Sequence, residues 1–172
     1  YVDNLGNLSF DRGLVEKVLE DWHASFEGVG LLLHKAEVGS YVEALGAALD
    51  GERLGAGITP ARLHMVRAGN SGLLQRRRCS GRAVEVVMGH NTFAGLACRG
   101  LLSLFHTVYR FMAAHYDQPA PLWAEARAEL RAFKGLLFLA WSDWWLPWCP
   151  FVYQSDASLE AWVVKTAKLD PH

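Results

Sequence analysis

Residues 59–82 read TPARLHMVRAGNSGLLQRRRCSGR, and the texture of the chain changes there. Thr59 can cap a helix, and Pro60 suits its first position because the N–H it lacks would be unpaired anyway. Leu63, Val66, Leu73 and Leu74 follow at helical spacing, which predicts a helix from Pro60 to about Arg76. Gly69 and Gly72 weaken it. Ser80 can cap a short helix through Val84, Val87 and Met88 that closes at Gly89. Thr92 can then cap a longer one through Phe93, Leu96, Leu101, Leu104, Phe105, Val108 and Met112. DQPAP at 117–121 is expected to be a linker. Leu122, Ala126, Leu130, Phe133 and Leu137 form the stripe of a last helix, about Leu122 to Phe138. The middle of the chain is therefore expected to be all helical.

Both flanks read differently. YVDNLGNLSF at 1–10 has the pattern of two short strands around Asp3-Asn4. Asp11 can cap the helix that follows. Leu14, Val15, Val18, Leu19, Trp22 and Phe26 make its apolar face, opposite Glu16, Lys17, Glu20 and Asp21, and Gly28 and Gly30 end it. GLLLHKAEV at 30–38 reads as a strand, and YVEALGAALDGERL at 41–54 as a hairpin punctuated by Gly46 and Asp50-Gly51. Near the other end, WCPFVYQSDASLEAWVV at 148–164 predicts a strand, a turn at Asp156 and a second strand. The expected class is α+β. A strand pair without a partner sheet leaves an exposed edge, so both ends read as cut from a larger protein.

At 172 residues the chain has room for one domain or pieces of two. Its 51% hydrophobic and 20% charged content is that of a globular protein. A net charge of −1 says nothing about partners, but the distribution does. Residues 53–82 hold seven arginines (53, 62, 67, 76, 77, 78 and 82) and no Asp or Glu. Cys79, Cys98 and Cys149 have neither disulfide-framework nor zinc spacing, so a reduced, intracellular setting, cytoplasm or nucleus, is expected. No basic segment followed by an apolar run marks a leader. GLLFLAWSDWWLPW at 135–148 is broken by Asp143 and Pro147 and is too short to span a bilayer, so no membrane partner is expected. His34, His64, His90, His106 and His115 lack ligand spacing and read as surface or core residues. The tryptophans at 123, 141, 144, 145, 148 and 162 are expected to pack in the core and between subdomains.

Three features carry candidate chemistry: Asp3 in Tyr-Val-Asp-Asn, the basic segment containing Gln-Arg-Arg-Arg-Cys, and Asp156 in Ser-Asp-Ala-Ser. Taken singly, each has a plainer reading. Asp3 suits a turn, Asp156 a turn or cap, and the arginines a solvated patch.

Their order resembles a reverse transcriptase of the retrotransposon type, DIRS-like or from an LTR-type polyprotein. YVDN resembles the Tyr-x-Asp-Asp polymerase box. DRGLVEKVLEDWHASFEGVGLLLHKAEVG resembles the palm helix and strand after that box, and EALGAALDG the hairpin that grips the primer end. Residues 59–112 resemble the thumb and connection helices. LWAEARAELRAFKGLL and then WCPFVYQSDASLEAW resemble the run into RNase H, whose first strand ends in Thr/Ser-Asp-Ala-Ser.

The resemblance implies a division of the chain at 1–55 (late palm with a primer-grip-like hairpin), 56–118 (thumb and connection), 119–150 (helical linker) and 151–172 (start of an RNase H-like domain). It makes Asp3 the surviving metal ligand of the polymerase and Asp156 the first metal ligand of RNase H, both catalytic. It implies Mg²⁺ or Mn²⁺, since two-metal nucleotidyl transfer clamps the attacking and leaving oxygens between hard cations about 3.5–4 Å apart. It implies a template–primer nucleic acid and a dNTP as partners of the intact enzyme. Arg62, Arg67, Arg76, Arg77, Arg78 and Arg82 become candidate phosphate contacts. Tyr1, Asn4 and Lys35 are further candidates, Lys35 for pyrophosphate departure. Asn4 stands where the family has a second Asp, and Ala161 where it usually has Gly. The partner carboxylate of Asp3 belongs upstream of the box, so this stretch alone is expected not to polymerise DNA. A non-catalytic nucleic-acid-binding remnant and a helical interaction module with accidental motif matches are the alternatives.

Overall fold

A computed structural model describes residues 6–33, 36–147, 149–157 and 162–168. The chain is α+β, as its patterning predicts. Helix α1 spans Arg12–Gly28, and the Asp11 carboxylate accepts from the Leu14 N–H at 3.3 Å. None of its residues is buried; Val15, Val18, Leu19, Trp22 and Phe26 are half-buried.

Two expected strands are corrected. The first half of the 1–10 hairpin lies outside the described residues, and Gly6–Phe10 form no strand. The Ser9 hydroxyl accepts from the Asp11 N–H at 3.1 Å, a local bond that competes with a ladder. Leu31–Leu33 and Ala36–Val38 also form no strand, and Leu32 is 75% exposed. An apolar run becomes a strand only where another strand pairs with it.

The hairpin at 41–50 is present. Strands β1 (Tyr41–Ala44) and β2 (Ala47–Asp50) pair antiparallel around Leu45 and Gly46, both at positive φ (55° and 79°). This two-residue turn matches the right-handed twist of the strands it joins. Two further strands, unforeseen in the sequence, extend the sheet: β3 (Gly55–Ile58) and β4 (Trp141–Asp143), in the order β1-β2-β3-β4, all antiparallel. Gly55 and Gly57 make room for β4. A Cβ on Gly55 would meet the Trp141 indole and the Ser142 carbonyl, and one on Gly57 the same indole and the Ala140 carbonyl.

Helix α2 spans Pro60–Gln75, with the Thr59 hydroxyl accepting from the Arg62 N–H at 3.2 Å. Helix α3 spans Gly81–Gly95, capped by Ser80. Here the expected break at Gly89 and restart at Thr92 are corrected: the helix runs through both. A mid-helix glycine costs only about 1 kcal/mol relative to alanine, and Met88 and Asn91 on either side are buried. The helix stops instead at Gly95, against which Leu102 packs. A 3₁₀ segment, Arg99–Leu104, and helix α4, Thr107–Ala114, replace the single long helix. Helix α5 runs Ala124–Leu136 and closes in one 3₁₀ turn, Leu137–Leu139.

The core lies among α2–α5, where Val66, Met88, Phe111, Leu130 and Phe133 are almost wholly enclosed. It continues to Ala140, across the boundary expected at 118/119. The last hairpin pairs β5 (Phe151–Ala157) with β6 (Trp162–Lys168). Asp156 lies inside β5 opposite Val163, so the turn expected at Asp156 is corrected: the backbone there is strand. Antiparallel pairing extends the ladder as far as the opposite strand supplies partners, whatever the turn propensity of Asp156.

Candidate nucleic-acid interface

The helical unit does not gather the six candidate arginines at one point. Arg62 sits in the first turn of α2, Arg67 near its middle and Arg76 at its C-cap. At 1.5 Å per residue, Arg62 and Arg76 are about 21 Å apart along the axis, roughly six base pairs of duplex. Arg77 and Arg78 lie in the connection to α3, and Arg82 in the first turn of α3.

That connection is held to the segment before α5 from both sides. Arg127 on α5 donates through Nη1 to the Leu74 carbonyl (2.7 Å), through Nη2 to the Arg76 carbonyl (2.8 Å) and through Nε to the Leu122 carbonyl (3.3 Å). It thus satisfies carbonyls that the end of α2 leaves without helical partners. Arg78 donates twice to the Pro119 carbonyl, at 3.1 and 2.6 Å. Cys79 and Ala120 exchange backbone hydrogen bonds at 3.0 Å. Gly81 and Arg82 donate their N–H groups to the His115 and Tyr116 carbonyls. DQPAP is therefore a braced segment as well as a linker.

Bracing sorts the arginines. Arg78 is exposed, but its guanidinium is engaged by Pro119. Arg82 lies 3.6 Å from the Asp117 carboxylate and over the Tyr116 ring, whose hydroxyl donates to Glu85 at 2.8 Å. The Glu85 hydrogen bond, with the carboxylate's charge, raises the Tyr116 pKa. Arg62 is half-buried against Phe93. Arg67, Arg76 and Arg77 are exposed, and none has a carboxylate partner among the described residues. Cys79, beneath the connection, is buried, and burial pushes its thiol up, so it is a poor nucleophile.

The acidic candidates fall differently. Asp3, Tyr1, Asn4 and Lys35 lie outside the described residues. The Asp156 backbone is paired in β5 with Val163. Among the described residues no three His, Cys, Asp or Glu side chains converge to hold a metal ion. A two-metal centre needs several carboxylates on one point, and the described residues do not fit one. No helix among them is long and apolar enough to cross a membrane.

The tryptophans divide. Trp123 packs edge-on to Phe111 at 5.6 Å, and Trp141 covers the β3 glycines. Trp144 and Trp145, expected to be packed, are 45% and 71% exposed. The Trp144 N–H donates to the Leu54 carbonyl and the Trp145 N–H to Asp143, which hold the chain in a surface turn. Trp148 lies outside the described residues.

Arg127 was not singled out by motif or spacing. It follows Ala126 on the flank of the apolar stripe, and two of its three acceptors lie 51 and 53 residues away. No family model, curated protein or solved structure matches the chain.

Proposed function

We propose that this chain is the template–primer-binding part of a retroelement reverse transcriptase: the hairpin β1–β2 belongs to the late palm, α2–α4 to the thumb and connection, α5 to the helical linker, and β5–β6 to the start of RNase H. The observation that carries the reading is the braced, acid-free connection that presents Arg76 and Arg77 to solvent at the end of α2. Guanidinium groups on a fixed backbone suit phosphates, and contacts to phosphate carry no sequence information. A polymerase that translocates along any template needs such contacts. The order of elements and the motifs at Asp3 and Asp156 support the family. The intact enzyme would be an RNA-directed DNA polymerase acting inside the cell. The described residues contribute binding to that activity, and the metal-dependent step belongs to carboxylates outside them.

The test is affinity for a primer–template duplex across a salt series. Binding should weaken linearly in log–log form as salt rises. Replacing Arg76 and Arg77 by Ala should lower the slope by about 2 on a duplex, equally for unrelated sequences. No binding, or binding indifferent to salt, would remove the reading and favour the helical interaction module.

A further inference from the structure

We infer that Arg62 is a fastener that fixes the β1–β2 hairpin to the helical unit, and is not a phosphate contact. Thr59 caps α2, so Arg62 falls in the first turn, where side chains lean back toward the helix N-terminus. That direction leads under the hairpin turn. The Gly46 carbonyl already receives the Thr59 N–H at 3.4 Å, and Ala47 pairs with Ile58. The Arg62 guanidinium packs against the face of Gly46 where a Cβ would stand; a Cβ there would overlap Nη2, Nε and Cζ. The same guanidinium lies 4.2 Å over the centre of the Phe93 ring on α3. Its Nε is buried with no hydrogen-bond partner among the described residues. A phosphate ligand would keep its donors open to solvent. Here one donor is enclosed, and the planar cation bridges a glycine turn and an aromatic face instead. Attraction to the ring offsets the loss of water at Nε.

Arg62 therefore joins three elements: the hairpin turn, the start of α2 and the side of α3. On the reverse-transcriptase reading, on which this part rests, it keeps the primer-gripping hairpin at a set distance from Arg76 and Arg77 at the far end of α2.

Hydrogen–deuterium exchange of the full chain, followed in peptides covering 41–50, tests the assignment. Arg62→Lys keeps the charge but not the flat guanidinium, and Phe93→Leu keeps an apolar side chain but not the π face. Each should speed exchange in the hairpin about tenfold. The double variant should exchange no faster than the faster single one, because both remove the same contact. The salt slope for template–primer binding should stay unchanged in Arg62→Lys and in Arg62→Ala. Wild-type exchange in Arg62→Lys, or a slope lowered by about 1 in Arg62→Ala, would overturn the inference. Absence of template–primer binding by the wild type would sink the family reading, yet the exchange data would still decide the role of Arg62.

Discussion

Asn70 and Asn91 exchange hydrogen bonds at 2.7 and 3.1 Å across the α2–α3 contact, and both are fully buried. Asn70 also donates to the Val66 carbonyl at 2.8 Å. Two amides facing each other satisfy one another only at one sliding position of the helices, so the pair sets α2 against α3. Replacing either by Ala leaves a buried amide short of a partner and should cost about 1–3 kcal/mol. Replacing both by Ala should cost less than the sum of the single losses, because neither amide is then left facing a lost partner. Urea unfolding of the four proteins measures this, and strict additivity would refute the pairing.

Glu129 on α5 accepts from the backbone N–H groups of Thr107 and Val108, at 2.8 Å each, and so caps α4 from another helix. Burial pushes its carboxyl up, but the two N–H bonds, the Thr107 hydroxyl and the nearby His106 outweigh this and hold the pKa below its ordinary value. A lowered pKa means that the folded state favours the ionised form. Its stabilisation is complete above the unfolded carboxyl's pKa of about 4.3 and is lost as pH falls from there through the folded value. Glu129→Gln should flatten this part of the acid-unfolding curve. A wild-type acid limb in the variant would refute the cap.

Two glycines should respond to alanine with opposite signs. A Cβ on Gly81 would meet the Met112 carbonyl and the Tyr116 Cα, which are backbone and cannot rotate away. Gly81→Ala should cost about 1–3 kcal/mol. Gly89 is exposed within α3 with nothing near its Cβ position. Gly89→Ala should stabilise by about 0.4–1 kcal/mol. Thermal unfolding should show one midpoint falling and the other rising.

Arg127→Met should release the α2–α3 connection, since it deletes donors to three carbonyls while keeping a long apolar stem. The loss should be about 2 kcal/mol. Trypsin provides a local readout, because the connection itself contains Arg76, Arg77 and Arg78. Cleavage there should accelerate in the variant well beyond cleavage at Arg67. Equal acceleration at all sites would mean general unfolding, not release of a braced segment.

The cysteines should label in order of exposure. Cys149 is exposed, Cys98 intermediate and Cys79 buried with its thiol pushed up. A thiol reagent under native conditions should modify Cys149 first and Cys79 only after denaturation, as mass spectrometry of peptides would show. Early labelling of Cys79 would contradict the packing beneath the basic connection.

Where a bond closes within a few residues, the sequence alone determined the outcome. The caps at Asp11, Thr59 and Ser80 lie three residues from their donors. The 41–50 hairpin follows from a two-residue turn, and the α5 stripe from a single period. Each depends on chemistry readable within one turn of the chain. Tertiary structure decided what depends on distant partners. It added β4 to β3 through glycines that accept Trp141, carried α3 through Gly89 between the buried Met88 and Asn91, and left residues 31–33 and 36–38 without a ladder. It also divided one run of arginines by role. Arg76 and Arg77 face solvent, Arg78 binds Pro119, Arg62 holds the hairpin, and Arg127, outside the run, holds the connection. Identical side chains differ here because packing sets which of their donors reach water.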